Sequence, residues 1–323
     1  MKLRRVSIHG KHTIQGQING KWLNLDRVKN IKELIDDLSS ELAILRISEL
    51  PKKHLEQIAS ELSDKEFHED ENAIVCLPFV PKSFRDFMLF EDHVIDSSRG
   101  YVKRFLPKLF PITQTYEKVT GRPFPKFKPH SLWYRQPIYY LSNHLNVLTS
   151  GSEVMWPSYT EALDYELELG AVLSKPLLNA SPEEAAAAIG GYVVLNDFSA
   201  RDVQKDEMES GFGPQKAKHF YSSMSANFIT ADEINLEDTP LSGSVSINGR
   251  KVAECSTEKM AFSFAEAISF VSRGEQLHCG ELFGSGTLPG GAGMENGHWL
   301  RAGDDLSLTL EPIGEVRNTI AGR

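Results

Sequence analysis

Two glutamates separated by one apolar residue, Glu166-Leu167-Glu168, lie inside an otherwise apolar run from Leu163 to Leu173. If that run is a strand, residues i and i+2 share a face about 6.5–7 Å apart, so both carboxylates are driven together against an apolar scaffold. Ionised carboxylates in such a place need a compensating cation, and a divalent metal is the usual solution. Another acid, Asp197, follows a second apolar run, Val193-Val194-Leu195-Asn196. A solvated strand face with surface ion pairs is the bland alternative for the glutamates, but such a face seldom continues into Gly170-Ala171-Val172-Leu173.

The elements that must position these groups are legible in outline. Alternating apolar residues either side of Asn19-Gly20 predict an N-terminal hairpin, and apolar residues at helical spacing predict helices over Ile31 to Leu38 and Pro51 to Leu62. A small β domain with helices is expected over residues 1–78 and a larger catalytic domain over 79–323. Ser83 to Phe105 reads as helical or partly so, which would put Asp86 and His93 on one face. Pro107 to Tyr134 is rich in Pro, Lys and Phe without clear period and reads as an irregular excursion, a lid or an insertion. Ser181-Pro182-Glu183-Glu184 predicts a capping box, with the helix stopped at Gly190-Gly191. Asn248-Gly249 marks a second hairpin, Ser263 to Glu266 caps another helix, and Leu306, Leu308 and Leu310 alternate as a half-buried strand. Many strands and few helices, without regular βαβ alternation, favour an α+β fold that is mostly β.

With 41% apolar and 24% charged residues the chain has the composition of a soluble globular protein, and its net charge of -9 argues against nucleic acid or an anionic membrane as partner. Cys76, Cys255 and Cys279 are too widely spaced for a disulfide framework or a C-x-x-C metal site, which suits a reducing cytoplasm. Met1-Lys2-Leu3-Arg4-Arg5 leads into a strand pattern without an export signal, and no apolar run is long enough to span a membrane. No G-x-S-x-G, H-E-x-x-H or dinucleotide fingerprint occurs. The Gly284-Ser285-Gly286-Thr287-Leu288-Pro289-Gly290-Gly291 stretch lacks the lysine-hydroxyl pair of a phosphate loop.

Five motifs, in order, resemble the fumarylacetoacetate hydrolase superfamily: Asp86-Phe87 with His93, Leu163 to Leu169, Asn196 to Asp202, Lys218-His219-Phe220, and Gly284 to Thr287. The resemblance implies a large catalytic domain of mixed β-sandwich or β-roll type behind a small N-terminal β domain. It implies Asp86, Glu166, Glu168 and Asp197 as metal carboxylates, His93 as general base and Glu295 as the acid that orients it. An imidazole so oriented can take a proton from water near neutral pH. Four oxygen ligands mean a hard cation, Mg²⁺ by default with Ca²⁺ or Mn²⁺ as alternatives. Lys218 and Gln204 would face a developing oxyanion, and Tyr140, Thr287, Gln204 and Met88 would contact substrate. The chain departs from the fumarylacetoacetase pattern at Met88 and Met208, where tyrosines are expected, and Arg99, Arg104 and Arg135 are all candidates for the substrate arginine. The implied activity is metal-dependent hydrolysis of a carbon–carbon bond in a small acidic 1,3-diketone or acylpyruvate, by attack of His-activated water with a metal-stabilised enolate leaving. The alternatives are a 2-oxoacid decarboxylase acting on oxaloacetate, an isomerase, a hydratase or lyase, and, from another class, a silent ligand-binding relative. The resemblance also implies a homodimer.

Overall fold

The computed structural model describes residues 1–28, 31–63 and 72–322, so residues 29–30 and 64–71 of the expected N-terminal domain lie outside the described residues. The chain opens with strands β1 (Lys2–Ile8), β2 (Lys11–Ile18) and β3 (Lys21–Asn24). Both connecting turns are two-residue pairs at positive φ: His9 at 48° and Gly10 at 79°, then Asn19 at 49° and Gly20 at 80°. That is the backbone a tight hairpin needs, and the Asn-Gly pair announced it where His-Gly did not. Helices α1 (Ala43–Ser48) and α2 (Lys52–Ser63) follow, the second where the sequence places it and the first not foreseen. The helix expected over Ile31 to Leu38 is shorter, Ile31–Leu34.

The site is carried by the centre of one large mixed sheet. Its strands are β4 (Ser83–Phe87), β5 (Tyr139–Ser142), β6 (Glu166–Leu173), β7 (Ile189–Asp197), β8 (Asn227–Thr230) and β11 (Glu281–Ala292). Between β8 and β11 in sequence come β9 (Ser242–Ile247) and β10 (Arg250–Ser256), and after β11 come β12 (Asp305–Leu310) and β13 (Gly314–Ile320). The large sheet runs β3-β2-β1-β8-β7-β6-β11-β4-β5, so the N-terminal hairpins extend it through β1 and β8. A second sheet runs β10-β9-β12-β13 and ends at Glu153–Val154.

Both faces of β6 are covered, which explains its unbroken apolar run. Leu167, Leu169, Ala171 and Leu173 pack into a core shared with the second sheet, where Leu306, Leu308 and Leu310 are buried as their alternation predicts. Val172, on the opposite face, joins Val193, Leu195, Phe84 and the N-terminal Leu3 and Ile14. The resulting α+β architecture is the expected one, dominated by sheet.

Helices α3 (Glu91–Phe105), α4 (Phe110–Thr120), α5 (Pro182–Ala188), α6 (Arg201–Ser210), α7 (Phe264–Val271) and α8 (Gly293–Asn296) complete the chain. The capping boxes of α5 and α7 form as read, Ser181 with Glu184 and Ser263 with Glu266. Gly190 and Gly191, however, lie inside β7 rather than ending α5. A Cβ on Gly191 would sit 2.2 Å from the Ile229 carbonyl oxygen, so this glycine serves close strand contact.

Two other expectations are corrected. Asp86 and His93 do not share a helix, because Ser83-Phe84-Arg85-Asp86-Phe87 pairs in parallel with β11 and helix begins only at Glu91. Pro107 to Tyr134 is not irregular: it contains α4, ended by Gly121 in the left-handed region at φ 64°. Ile112 and Val119 are left uncovered there, at 61% and 79% exposure, and blur the helical period that burial would have written.

Gly100, in the middle of α3, shows how tightly this helix is held. A Cβ there would lie 1.7 Å from the backbone oxygen of Met294 in α8. In a solvent-facing helix Gly→Ala stabilises by about 1 kcal/mol. Gly100→Ala is expected to do the reverse, lowering Tm and activity, and an unchanged or raised Tm in thermal unfolding would contradict this packing.

Candidate metal and acid-base site

Three strands of the large sheet, β7, β6 and β4, deliver carboxylates to one face, with β11 between the last two. Glu168 pairs with Leu195 on β7, and Asp197 lies two residues on, facing the same way. Asp86 lies on β4, beyond β11. Strands are about 4.8 Å apart, so Glu168 and Asp86 must reach toward each other across β11. Gly284 makes that possible: a Cβ there would sit 2.6 Å from Asp86 Oδ1 and 2.8 Å from Glu168 Oε2. One carboxylate oxygen each of Asp86, Glu168 and Asp197 lies within 4.8 Å of the others.

Asp86 Oδ1 and Glu168 Oε2 are buried without a hydrogen-bond partner. Neither residue has a basic partner at ion-pair distance among the described residues, whereas Asp197 receives Lys218 Nζ at 2.6 Å. Burial, then the neighbouring acid charges (Asp197 foremost for Asp86, Asp86 for Glu168), hold both carboxyls well above the usual range. The Tyr140 hydroxyl lies 3.0 Å from Asp86 Oδ2 and 2.5 Å from Asp197 Oδ2, and having one proton it donates to one of them at a time. Burial and the same two acids push its phenol upward too. Orphaned hard oxygens across a glycine gap fit a divalent cation such as Mg²⁺, Mn²⁺ or Ca²⁺.

Glu166 stands apart from these three. Its oxygens accept from Arg201 Nη2 at 2.7 Å and from Lys218 Nζ. Burial would raise its carboxyl, but Arg201 and then Lys218 outweigh that and hold it below the usual range. Lys218 is buried, which disfavours its charge, yet Asp197 and Glu166 more than reverse the effect and keep it an ammonium. Glu166 therefore serves the buried cations here, next to the group of three.

His93, on the first turn of α3, reaches the same place from the side. Its Nδ1 lies 3.2 Å from Glu295 Oε2, and its Nε2 lies 3.9 Å from Glu166 Oε1. Glu295 is fixed by the backbone N–H groups of Gly290 and Ala292, both at 3.1 Å. The strand pairing of β11 against β6 jumps from Thr287 to Ala292 while β6 advances from Glu168 to Glu166, so the Gly290-Gly291 stretch bulges out to make this cradle. Burial raises the Glu295 carboxyl, with His93 opposing. With Nδ1–H donated to Glu295, Nε2 is left as the basic nitrogen.

A cavity of about 1010 Å³ opens over the cluster, lined by Asp86, His93, Tyr140, Glu166, Glu168 and Lys218, and also by Met88, Gln204 and Thr287. Gln204 accepts from Arg201 Nη1 at 3.0 Å, which leaves its NH₂ free to donate. None of the three candidate arginines lines the cavity. Arg99 pairs with Asp96 and Glu117, Arg104 lies 3.8 Å over the Trp299 ring, and Arg135 is exposed. The arginine at the site is Arg201, four residues after Asp197 and not singled out in the sequence. It is held by Asp164, 2.8 Å from Arg201 Nε, and Asp164 also accepts from the N–H groups of Gly293 at 2.8 Å and Met294 at 3.0 Å. Asp164 thus ties the cationic side of the site to the short helix that carries Glu295. Asp164 lies inside the Leu163 to Leu169 motif, but nothing in the sequence assigns it a role.

Residues 115–321, well over half the chain, match the fumarylacetoacetate (FAA) hydrolase C-terminal family. The chain is 32% identical over 181 residues to an oxaloacetate tautomerase of Bacillus subtilis (YisK), covering 56% of this chain and 58% of that one. It is 29% identical over 188 residues to a 2,4-didehydro-3-deoxy-L-rhamnonate hydrolase of Sphingomonas, covering 58% and 65%. The chain therefore spans less than two thirds of the length of these two relatives. A human mitochondrial oxaloacetate tautomerase is 32% identical over 169 residues, 52% of this chain and 76% of that one. In fold the chain is similar to a fumarylacetoacetate hydrolase from Exiguobacterium antarcticum, with a TM-score of 0.70, 19% identity and full coverage of both chains. It is also similar to a fumarylpyruvate hydrolase of Pseudomonas aeruginosa solved with Mn²⁺ and pyruvate, with a TM-score of 0.57, 19% identity and coverage of 80% and 94%.

Carboxyls whose folded pKa is raised weaken the folded state as pH climbs from their unfolded value through their folded one. Metal-free protein is thus expected to lose stability over that climb, and a divalent cation, which holds only the ionised form, to restore it with release of protons. The gap in Tm between Mn²⁺-loaded and chelator-treated protein should widen from pH 5 to pH 8. A gap independent of pH would count against Asp86 and Glu168 as ligands.

Proposed function

Because the chain belongs to the fumarylacetoacetate hydrolase family, we propose that it is a metal-dependent enzyme that hydrolyses a carbon–carbon bond in an acylpyruvate-like 2,4-dioxoacid. The observation that carries this reading is the His93 imidazole, backed by Glu295 on one nitrogen and opening with the other onto the carboxylate cluster in a single cavity. Asp86, Glu168 and Asp197 would hold the cation, with Glu166 beside them, and when bound it would act as a Lewis acid toward the substrate's oxygens.

The chain's own groups then account for the steps. His93 Nε2 takes a proton from water, and the hydroxide adds to the distal carbonyl carbon. The Gln204 NH₂ and the Lys218 ammonium donate to the oxyanion so formed. Collapse breaks the bond to the neighbouring CH₂, expels a carboxylic acid and leaves a carbanion, which recovers the proton from His93 to give a 2-oxoacid. One water is consumed and the acid–base groups return to their starting state. The Thr287 hydroxyl, buried in the cavity wall, would hold the substrate carboxylate.

The names of the bacterial and human relatives favour a second reading, tautomerisation of oxaloacetate, in which a proton moves between carbon and oxygen and no water adds. Assay of acetylpyruvate and oxaloacetate side by side with Mg²⁺ and Mn²⁺ separates the two. Cleavage of the first supports hydrolysis, and turnover of oxaloacetate alone supports the second. On the productive substrate, His93→Ala is expected to lower kcat by about a hundredfold or more while metal affinity by calorimetry is kept. An unchanged rate would remove His93 as base. Glu168→Gln should lose the metal before anything else.

A further inference from the structure

The cavity is far from uniform, and its shape away from the carboxylates concerns the other end of the substrate. Helix α3 runs along it: His93, Ser97 and Tyr101 line it on successive turns, with Val94 and Val102 alongside. At 1.5 Å per residue Tyr101 stands about 12 Å along the axis from His93. Also lining the cavity are Leu109 just before α4, Ile112 on its first turn, Phe124 and Phe127 beyond it, and Met208 from α6. Ile112, Met208 and Leu109 are 61%, 55% and 48% exposed. Large apolar side chains left uncovered in the lining of one cavity, rather than scattered, mark a surface that a ligand covers.

Charge at this end points the same way. Lys205 lines the cavity but is already paired, with Asp206 at 3.1 Å and Glu209 at 3.7 Å, and Glu209 itself lines the wall. Lys126 is solvent-exposed, so its charge is screened. Among the described residues the buried cations lining the cavity, Arg201 and Lys218, are paired with Asp164, Glu166 and Asp197, so a second carboxylate at this end would meet none. The volume of about 1010 Å³ sits at the top of the range for small-molecule sites, about 300–1,000 Å³, and a four-carbon oxoacid at the carboxylates would leave most of it empty.

We propose that the enzyme takes 2,4-dioxoacids bearing a neutral apolar tail, an alkyl chain of about six to ten carbons or an aryl group of similar reach, laid along α3 against the wall from α4. The tail rests on the reading of the carboxylate cluster as the site of the oxoacid head. Burying a methylene there would tighten binding about fourfold.

The test is calorimetric titration of Mn²⁺-loaded protein with N-alkyl oxamates from methyl to octyl, together with one ω-carboxylated member of hexyl length. The expected result is a Kd falling about fourfold per methylene until the tail passes the apolar wall. Ile112→Asp, at an exposed position that should fold, is expected to cut the octyl-to-methyl affinity ratio by about tenfold or more. A series with no dependence on length overturns the proposal, as does tighter binding of the ω-carboxylated oxamate. Failure of every oxamate to bind removes the head site and the tail together. Since binding needs no turnover, a protein that binds the long oxamates but does not cleave acetylpyruvate or its longer homologues keeps the tail and loses only the hydrolytic reading.

Discussion

Like charges brought together in a dry place are the condition around which this fold is organised. Asp86, Glu168 and Asp197 are each at most 3% exposed, with an oxygen of each within 4.8 Å of the others. At an effective dielectric of about 20, two unit charges at that distance repel by about 3.5 kcal/mol. Three such pairs would consume most of the about 5–15 kcal/mol that keeps a domain folded. Three ionised carboxylates therefore cannot stand there uncompensated. Lys218 answers Asp197, and Tyr140 supplies one hydrogen bond, which leaves Asp86 and Glu168 to be met by protons or by a cation. Gly284 turns this into a site rather than a defect, because without a side chain on β11 the two orphaned oxygens share one open space.

The acid–base pair depends on a separate set of constraints, and these are steric before they are electrostatic. Glu295 sits on a helix of one turn whose backbone N–H groups are pinned by Asp164, and Asp164 in turn grips Arg201. His93 sits on α3, which approaches that helix closely only because residue 100 lacks a Cβ. Removing one member of a buried ion pair costs about 3–5 kcal/mol. Asp164 thus has two roles in one side chain, holding the guanidinium over Glu166 and fixing the carboxylate behind His93. In the proposed mechanism neither role would touch a reacting atom, which would make Asp164 a positioning residue.

How much of this was legible in the sequence follows from where each signal lives. The i, i+2 spacing of Glu166 and Glu168, the capping boxes at Ser181 and Ser263 and the Asn-Gly turns are local, and each was readable because neighbouring residues fix it. The family resemblance located His93, Glu295 and Lys218, which local pattern could not have joined. What could not be read was contact between distant segments. Arg201 was hidden because its partners, Asp164 and Glu166, are 37 and 35 residues away in the chain. Asp86 was assigned to a helix because strand pairing with β11, nearly two hundred residues later, leaves no mark on the residues around it. Gly190 and Gly191 looked like a helix stop because glycine has the same letter whether it supplies a turn or a close approach.

The division of labour between sheet and excursion follows from these same forces. The carboxylates that must hold fixed positions in a low dielectric are placed on paired strands, and Glu295 on a short pinned turn, where the backbone is over-determined. The apolar wall comes instead from α4 and the residues after it, which pack on α3 and leave Ile112 and Leu109 uncovered. A wall of this kind contributes through area, not through hydrogen-bond geometry, so it can be altered one side chain at a time without disturbing the carboxylates. On the proposed function, selectivity among oxoacids would therefore change on this segment while the carboxylate cluster on the sheet stayed constant.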